Sequence, residues 1–212
     1  IRDSNVTVPT GNFGNILAAY YAKQMGVPIN KLICASNENK VLFDFFRTGT
    51  YDKNREFVLT SSPSMDILIS SNLERLIYTI AGQDGQKNAE LMDALKSSGA
   101  YEITKEMKAK LDDFVGGYAT EEQTAQAIHD TYKRTGYVMD THTAVASCVC
   151  AQYREESGDE IKCLIASTAS PYKFVGSVMR AIDAEYAGRD EFELVDELEK
   201  LSQVAVPNAV KE

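Results

Sequence analysis

The sequence predicts an α/β fold: a partial, mostly parallel sheet with flanking helices. The chain opens with strand, loop, helix, strand and helix, the order of a parallel sheet with crossover helices. Residues 32–35 form a short apolar run suited to a strand buried on both faces, and residues 161–166 form a second apolar strand candidate. With 44% hydrophobic and 25% charged residues among 212, the composition is that of a globular protein and excludes a disordered chain.

The first third of the chain supplies two strands and two helices. A strand is predicted at residues 6–8 and, after the segment TGNFGN, a helix that a glycine cap ends at Gly26. The second strand, residues 32–35, precedes a helix for which Asn37 is the expected N-terminal cap. Residues 57–59 form a weaker strand candidate.

The middle of the chain is predicted to be mainly helical. Apolar spacing indicates helices over residues 66–80, 87–97 and 105–114, the last one ended by Gly116 and Gly117. Thr120 and Gln123 have the spacing of a capping box in front of a helix that reaches residue 134.

The last third contains one further strand between helices. Thr141 or Thr143 is expected to begin a helix, and residues 161–166 form what we predict to be the clearest buried strand. Helices over residues 171–183 and 191–202 follow, the second one amphipathic. No repeat or long linker divides the chain, so residues 1–212 are treated as one portion without an internal boundary.

Charge and cysteine usage exclude several classes of function. The chain carries 22 basic and 31 acidic residues, a net charge of −9, which disfavours nucleic acid as a partner. No segment has the ~18 uncharged apolar residues of a membrane span, so no membrane association is expected. The four cysteines form no C-x-x-C pair and the two histidines have no ligand-like spacing, so no metal is expected. The cysteines, and the lack of a secretory signal at the start, favour the cytoplasm.

The segment TGNFGN carries the chemical signal. Glycines at positions 11 and 14 allow a tight strand-to-helix turn and close approach of a ligand to the backbone. The first amides of the following helix lack internal partners and lie at the positive end of its dipole, which makes the loop a potential phosphate site. Taken alone, the segment is neither a Walker A loop nor a dinucleotide motif, and a plain tight turn remains the alternative.

Five segments, in the same order along the chain, resemble threonine synthase, a fold-type-II enzyme that uses pyridoxal 5′-phosphate (PLP) and is similar in fold to the tryptophan synthase β-subunit. They are VPTGNFGNILAAYYAKQMG, ASNENKVLFDFFRTGTYD, SPSMDILISSNLERL, DTHTAVA and STASPYKF, and together they span most of the chain. One segment alone would be a weak match, whereas five in order are specific.

The resemblance implies a cofactor site. In this family the GNFGN segment holds the 5′-phosphate of PLP, which assigns that role to Gly11, Asn12, Phe13, Gly14 and Asn15. A hydroxyl after a late strand faces the pyridine nitrogen of the cofactor. The matching position is Thr168, with Ser167 as the second choice. The implied reaction converts O-phospho-L-homoserine and water to L-threonine and phosphate.

The resemblance also implies that parts of the enzyme are absent from these residues. No segment matches the family's Schiff-base lysine or its loop for the substrate carboxylate, both of which belong to the N-terminal half. We therefore expect no catalytic residue in this chain, a Schiff-base lysine upstream of Ile1, and the missing N-terminal half as a partner. A threonine-synthase-like phospho-lyase that releases a keto acid, and a non-catalytic phosphate-binding or interaction module, are the alternatives.

Other polar and aromatic residues have simpler interpretations. His142 is expected to cap a helix, although it could line the cleft, and His129 is expected to face solvent. Arg47 and Lys173 could meet a substrate phosphate, but lone basic residues are more often solvated. The neighbouring Tyr20 and Tyr21 are expected to have a packing role rather than to stack on a cofactor, and Ser64 with Asp66 to form a helix cap.

Overall fold

The computed structural model describes residues 3–211. The expectation that the chain begins inside a longer protein concerns Ile1, which lies outside the described residues, as do residues 2 and 212. The described elements, in chain order, are β1 (Ser4–Pro9), α1 (Gly14–Gln24), β2 (Ile29–Ser36), α2 (Val41–Thr48), β3 (Thr50–Asp52), α3 (Leu73–Ile80), α4 (Gly85–Ser98), β4 (Ala100–Glu102), α5 (Lys105–Lys108), β5 (Phe114–Tyr118), α6 (Glu121–Thr135), α7 (Thr141–Ser157), β6 (Cys163–Ile165), α8 (Val175–Ile182), α9 (Glu191–Ser202) and α10 (Asn208–Lys211).

A four-stranded parallel sheet lies at the centre, in the order β5-β2-β1-β6. Strand β1 pairs with β2 on one side and with β6 on the other, so that Thr7 is opposite both Ile33 and Ile165. The short strands β3 and β4 form a separate antiparallel pair. The predicted α/β class, with a mostly parallel sheet and flanking helices, is confirmed.

Strand β2 is buried on both faces, as its apolar sequence predicts. Leu32 and Cys34 face one layer of the core, which also contains apolar side chains of α1, α2 and α3. Ile33 and Ala35 face the opposite layer, where they pack against Val145 and other residues of α7. Burial raises the pKa of the Cys34 thiol to about 12, so this cysteine is a core residue without reactivity at neutral pH.

A separate apolar cluster holds the C-terminal helices to α6. Ile128 of α6 packs with Val178 and Met179 of α8 and with Leu194 and Leu198 of α9. The predicted helix at residues 191–202 and the capping box of α6 are confirmed. Among residues 3–211, no helix is long and apolar enough to cross a membrane.

The prediction of one helix over residues 66–80 is wrong in its first half. Helix α3 begins at Leu73, and the preceding segment is irregular after a 3₁₀ turn at Pro63–Met65. The cause is Asp66, which was expected to form a helix cap with Ser64. Its Oδ1 accepts hydrogen bonds from Asn37 Nδ2 at 2.7 Å and Asn39 Nδ2 at 3.0 Å, which removes the residue from helical continuation.

The same network explains two further corrections. Asn37 does not cap α2, since its amide is directed at Asp66 and Lys40 lies at the N-terminal boundary of that helix. Residues 57–59 do not form a strand. Asn39 ties this segment down instead, because its side chain accepts from the N–H of Val58 at 2.9 Å and donates to the Val58 carbonyl at 2.7 Å.

The prediction of a helix over residues 105–114 ended by two glycines is also wrong. The α-helix spans only Lys105–Lys108, and Gly116 and Gly117 lie within strand β5. Glycine is required there by close packing, since a Cβ at position 117 would lie 2.4 Å from Val149 Cγ1 of α7. The glycines therefore bring a helix close to the sheet rather than ending one.

The segment at residues 161–166 is not the most buried strand. Strand β6 spans only Cys163–Ile165 and lies at the edge of the sheet, where Leu164 is 60% and Ile165 is 36% exposed. The helix that precedes it is capped by Asp140, not by Thr141 or Thr143. Residues 171–183, predicted as one helix, divide into a 3₁₀ turn at Pro171–Phe174 and α8.

We expect Gly117→Ala to lower the free energy of unfolding by about 1–3 kcal/mol, because its Cβ would overlap with Val149. The additional change Val149→Ala should recover part of this loss, which a double-mutant cycle in urea measures. Gly85→Ala is the matched control, since nothing lies within 4 Å of a Cβ at that position. Equal effects of the two glycine substitutions would contradict the packing argument.

Candidate functional site

Residues 10–15 comprise the loop after β1 and the first two residues of α1, and a buried aromatic ring anchors them. Phe13 lies at the N-terminal boundary of α1 and has a left-handed backbone, with φ of 66°. Its ring is 1% exposed and packs against Phe46 and Phe114, at centroid distances of 6.0 and 5.9 Å. The burial of this ring holds the backbone in a conformation that is uncommon for residues other than glycine.

The amide groups of the loop are free to bind a ligand. Among the described residues, the N–H groups of residues 11–16 donate no hydrogen bond to another protein group. The acceptors of the loop are occupied instead. Ser70 Oγ donates to the Gly11 carbonyl at 2.6 Å, and the N–H of Ser71 donates to Asn12 Oδ1 at 2.7 Å. Asn72 Nδ2 donates to the Asn12 carbonyl at 3.0 Å, so the loop is held through its oxygens with its donors available.

Sequence reasoning missed these three positions as site residues. Residues 70–72 lie in the SPSMDILISSNLERL segment but were predicted to be helical, which would have directed their side chains elsewhere. The available signal was the run of two serines and an asparagine, residue types that favour loops and bonds to backbone over helix interiors.

Close packing requires a glycine at position 11 but not at position 14. A Cβ at Gly11 would lie 2.5 Å from the carbonyl oxygen of Ser64, so no other residue fits without moving the backbone. A Cβ at Gly14 would make an ordinary contact of 3.5 Å with Asn72 Nδ2. The close approach of residues 10–15 to residues 64–72 therefore depends on Gly11.

Thr168 lies in the same pocket as the loop, as expected from its place after β6. The pocket has a volume of about 450 Å³. It is lined by Val8, Pro9, Thr10, Gly11, Asn12, Phe13, Gly14, Asn15, Ile16, Ser64, Met65, Asn72, His142, Thr168, Ala169 and Lys173. All five predicted phosphate-binding residues and Thr168 are thus brought together.

Of the two hydroxyls considered for the pyridine nitrogen, only one is available. The Ser167 hydroxyl forms a hydrogen bond of 3.1 Å with Thr143 Oγ1, and Ser167 does not line the pocket. The Thr168 hydroxyl forms no hydrogen bond with another group in residues 3–211. This arrangement favours Thr168 over Ser167.

His142 is a wall of the pocket, not a helix cap. It is 2% exposed, and its Nε2 accepts a hydrogen bond from the N–H of Ser64 at 3.2 Å. Asp140 performs the capping, with its Oδ1 accepting from the N–H groups of His142 and Thr143 at 2.8 and 3.2 Å. Burial works against ionisation of Asp140, but the hydrogen bonds from His142 and Thr143 outweigh it and hold the pKa of this carboxyl below its usual value.

The other candidates divide between the pocket and the periphery. Lys173 lines the pocket, with its Nζ 5.8 Å from the Phe174 ring centroid. Arg47 does not line it and lies beside Phe43. His129 is half-buried rather than solvent-facing, and its Nδ1 is 3.0 Å from a carbonyl oxygen of α8.

The tyrosine pair has a structural role. Tyr20 is buried and packs against Phe114 with ring centroids 5.2 Å apart, while Tyr21 is partly exposed and lines another surface depression. Neither residue lines the pocket at residues 10–15. Across the described part of the chain, no three His, Cys, Asp or Glu side chains are grouped so as to hold a metal ion.

Comparisons with known proteins agree on one family. Residues 143–211 match the family model described as threonine synthase, C-terminal. The human protein named Threonine synthase-like 1 is 48% identical over 180 residues, which are 84% of this chain and 24% of that protein. The crystal structure of PLP-bound threonine synthase from Brucella melitensis is 38% identical, with a TM-score of 0.81 over 96% of this chain and 42% of that one.

Threonine synthase from yeast is similar to the same extent. Its crystal structure is 33% identical, with a TM-score of 0.83 over 96% of this chain and 43% of the yeast chain. The chain therefore spans less than half the length of these relatives. The predicted resemblance to threonine synthases, and the fold it implied, are confirmed.

We expect inorganic phosphate to bind at the amides of residues 11–16, because these donors have no protein partner. In a titration followed by amide NMR, the signals of Gly11, Asn12, Gly14 and Asn15 should shift together. Gly11→Ala should abolish the effect, since its Cβ would displace the loop from Ser64, whereas Gly85→Ala should not. Phosphate shifts that spread evenly over surface lysines would contradict this site.

Proposed function

We propose, on the basis of the relationship to threonine synthases, that this chain is the C-terminal portion of a PLP-dependent carbon–oxygen lyase acting on a phosphorylated substrate. The reaction we assign to the whole enzyme is the conversion of O-phospho-L-homoserine and water to L-threonine and phosphate, a step of threonine biosynthesis. The observation that carries the proposal is a loop of unpaired amides that shares one pocket with the free hydroxyl of Thr168.

The residues of the pocket fit a phosphorylated cofactor. The unpaired N–H groups of residues 11–16 are preorganised donors for the 5′-phosphate, and the positive end of the α1 dipole favours the same charge. Gly11 leaves no side chain between the backbone and a ligand. In this role the chain binds and orients the cofactor, and the anchored ring of Phe13 keeps the donors in place before binding.

Thr168 supports the choice of PLP over other phosphorylated ligands. We assign its hydroxyl to the pyridine nitrogen, where a hydroxyl leaves the nitrogen less readily protonated than a carboxylate would. When bound, PLP supplies the electron sink that stabilises carbanions at Cα and Cβ of the substrate, so that phosphate leaves from Cγ and water adds at Cβ. The hydroxyl of Thr168 would therefore lower the ability of bound PLP to accept electrons from the substrate.

Two functions are assigned outside these 212 residues. The Schiff-base lysine, which also moves protons between substrate carbons, has no match in the chain, and neither does the loop for the substrate carboxylate. We propose that both come from the N-terminal half of the same protein, which would close the pocket. The four free cysteines support a reducing compartment, the cytoplasm, as the place of the activity.

Two other functions are compatible with this pocket and can be distinguished from threonine synthesis by experiment. A phospho-lyase that releases a keto acid would use the same phosphate loop, and the name Threonine synthase-like 1 of the human relative is compatible with a product other than threonine. Product analysis with O-phospho-L-homoserine distinguishes the two enzymes. If the whole protein were a non-catalytic phosphate-binding module, it would bind PLP without developing the visible absorbance that a lysine adduct gives.

The 212-residue chain alone should not turn over O-phospho-L-homoserine when PLP is added, because the covalent lysine and the substrate-carboxylate loop are missing. Phosphate release measures this directly. Turnover at roughly 1 per second or faster in a preparation proven to contain only these residues would overturn the assignment. A lysine of this chain, such as Lys173 in the pocket, would then have to be the Schiff base.

Thr168→Val should weaken PLP binding by roughly two- to tenfold, the effect of losing one hydrogen bond. It should leave binding of inorganic phosphate unchanged, because the hydroxyl is assigned to the ring and not to the phosphate. Equilibrium titration with both ligands tests this. Thr79→Val, at a hydroxyl of α3 that does not line the pocket, is the control. If Thr168→Val weakened the binding of PLP and of inorganic phosphate equally, this would contradict the assignment of the hydroxyl to the pyridine nitrogen.

A further inference from the structure

Asp140 is bonded more extensively than a helix cap requires. It is 1% exposed, and its Oδ1 accepts from the first amides of α7. The same oxygen is 3.4 Å from Nδ1 of His142, and Oδ2 accepts a short hydrogen bond from the Thr143 hydroxyl. Asp190, which caps α9, accepts only from the amides of residues 192 and 193 and is exposed. Both oxygens of Asp140 are therefore engaged beyond the cap.

On one side, Asp140 contacts His142, which forms the wall of the pocket opposite residues 10–15. Since Nε2 of His142 accepts from the N–H of Ser64, that nitrogen carries no proton, and the ring proton lies on Nδ1, which is 3.4 Å from both Asp140 Oδ1 and the Thr141 hydroxyl. Ser64 in turn is the residue whose carbonyl oxygen approaches Gly11. The histidine thus joins the buried carboxylate to the segment that limits the width of the pocket.

On the other side, Asp140 is connected through the Thr143 hydroxyl to Ser167, the residue before Thr168. The Thr143 hydroxyl, bound to Asp140, also contacts the Ser167 hydroxyl at 3.1 Å. Ser167 is followed directly by Thr168, whose own side chain has no partner in the described structure that would fix it. The backbone position of Thr168 therefore depends on the hydrogen bond that its neighbour makes.

We propose that Asp140 and His142 are positioning residues that set the geometry of the pocket between its two walls. The negative charge of Asp140, 3.4 Å from Nδ1 of His142, favours the Nδ1–H tautomer, which leaves Nε2 free to hold Ser64 against residues 10–15. Through Thr143, Asp140 also fixes the segment that carries Thr168. The proposal rests on the proposed function only in taking this pocket as the PLP site. Neither residue touches the substrate in this role, and neither is assigned an acid–base step.

The two histidines of the chain make the tautomer measurable. Long-range proton–nitrogen NMR of the ¹⁵N-labelled chain reports which ring nitrogen of His142 is protonated, with His129 as the internal reference. We expect Nδ1–H for His142 in the unmodified chain. In Asp140→Asn the side-chain oxygen still caps α7, because asparagine is as good a cap as aspartate, but the charge facing Nδ1–H is lost. The tautomer signal of His142 and the amide signals of Ser64 and Ser167 should therefore change.

Binding of PLP is the second readout. Asp140→Asn should weaken it about tenfold, the effect of losing the charge-assisted hydrogen bond that Oδ2 accepts from the Thr143 hydroxyl. Asp190→Asn is the matched control, since it makes the same change at the cap of α9 and should leave PLP binding unaltered. His142→Gln keeps an acceptor for the N–H of Ser64 and should retain most of the affinity, whereas His142→Leu should not.

Each outcome decides the proposal. A proton on Nε2 of His142 in the unmodified chain would overturn it, as would equal PLP affinities for Asp140→Asn and Asp190→Asn. Equal affinities for His142→Gln and His142→Leu would show a packing role only and would overturn it as well. If the unmodified chain binds neither PLP nor inorganic phosphate, the proposed function fails, while the tautomer and the amide signals of Ser64 and Ser167 still decide the positioning role.

Discussion

The pocket depends on one constraint, the contact between the backbone of residues 10–15 and the segment at residues 64–72. Ser70, Ser71 and Asn72 bind the oxygens of the loop, while its N–H groups have no partner among the described residues. Unpaired backbone donors are costly when buried, and they persist where a ligand or water completes them. The contact itself exists only because Gly11 has no side chain to separate the two segments.

The parallel sheet places the two halves of the pocket at one edge. Strands β1 and β6 are neighbours, and the residues after each of them, the loop at 10–15 and Thr168, therefore meet at the carboxyl ends of the strands. This is where open α/β sheets generally bind ligands. The buried ring of Phe13 packs in the apolar core. The core therefore helps to hold the backbone N–H groups of residues 11–16 in place.

Two polar networks help to shape the irregular segments around the pocket. The carboxylate of Asp66 accepts hydrogen bonds from the side-chain amides of Asn37 and Asn39. These bonds hold the segment that ends at Ser70 in a non-helical conformation. Asp140 organises the opposite side through His142 and Thr143. In both cases the bonds of one partly or fully buried carboxylate fix a loop that its own residues would leave flexible.

The sequence by itself determined the elements whose signals are local. The continuous apolar run of β2, the capping box of Thr120 and Gln123, and the strand–GNFGN–helix order each specify their structure from neighbouring residues, and the family motifs pointed to the phosphate loop and Thr168. Tertiary structure decided the rest, because the deciding partners are distant in sequence. Asp66 bonds to residues almost thirty positions earlier, Gly117 is a strand residue because Val149 packs on it, and His142 became a pocket wall through a bond to Ser64. A helical or apolar pattern is read from adjacent positions, whereas a buried polar group adopts whichever backbone satisfies its hydrogen bonds in the folded chain.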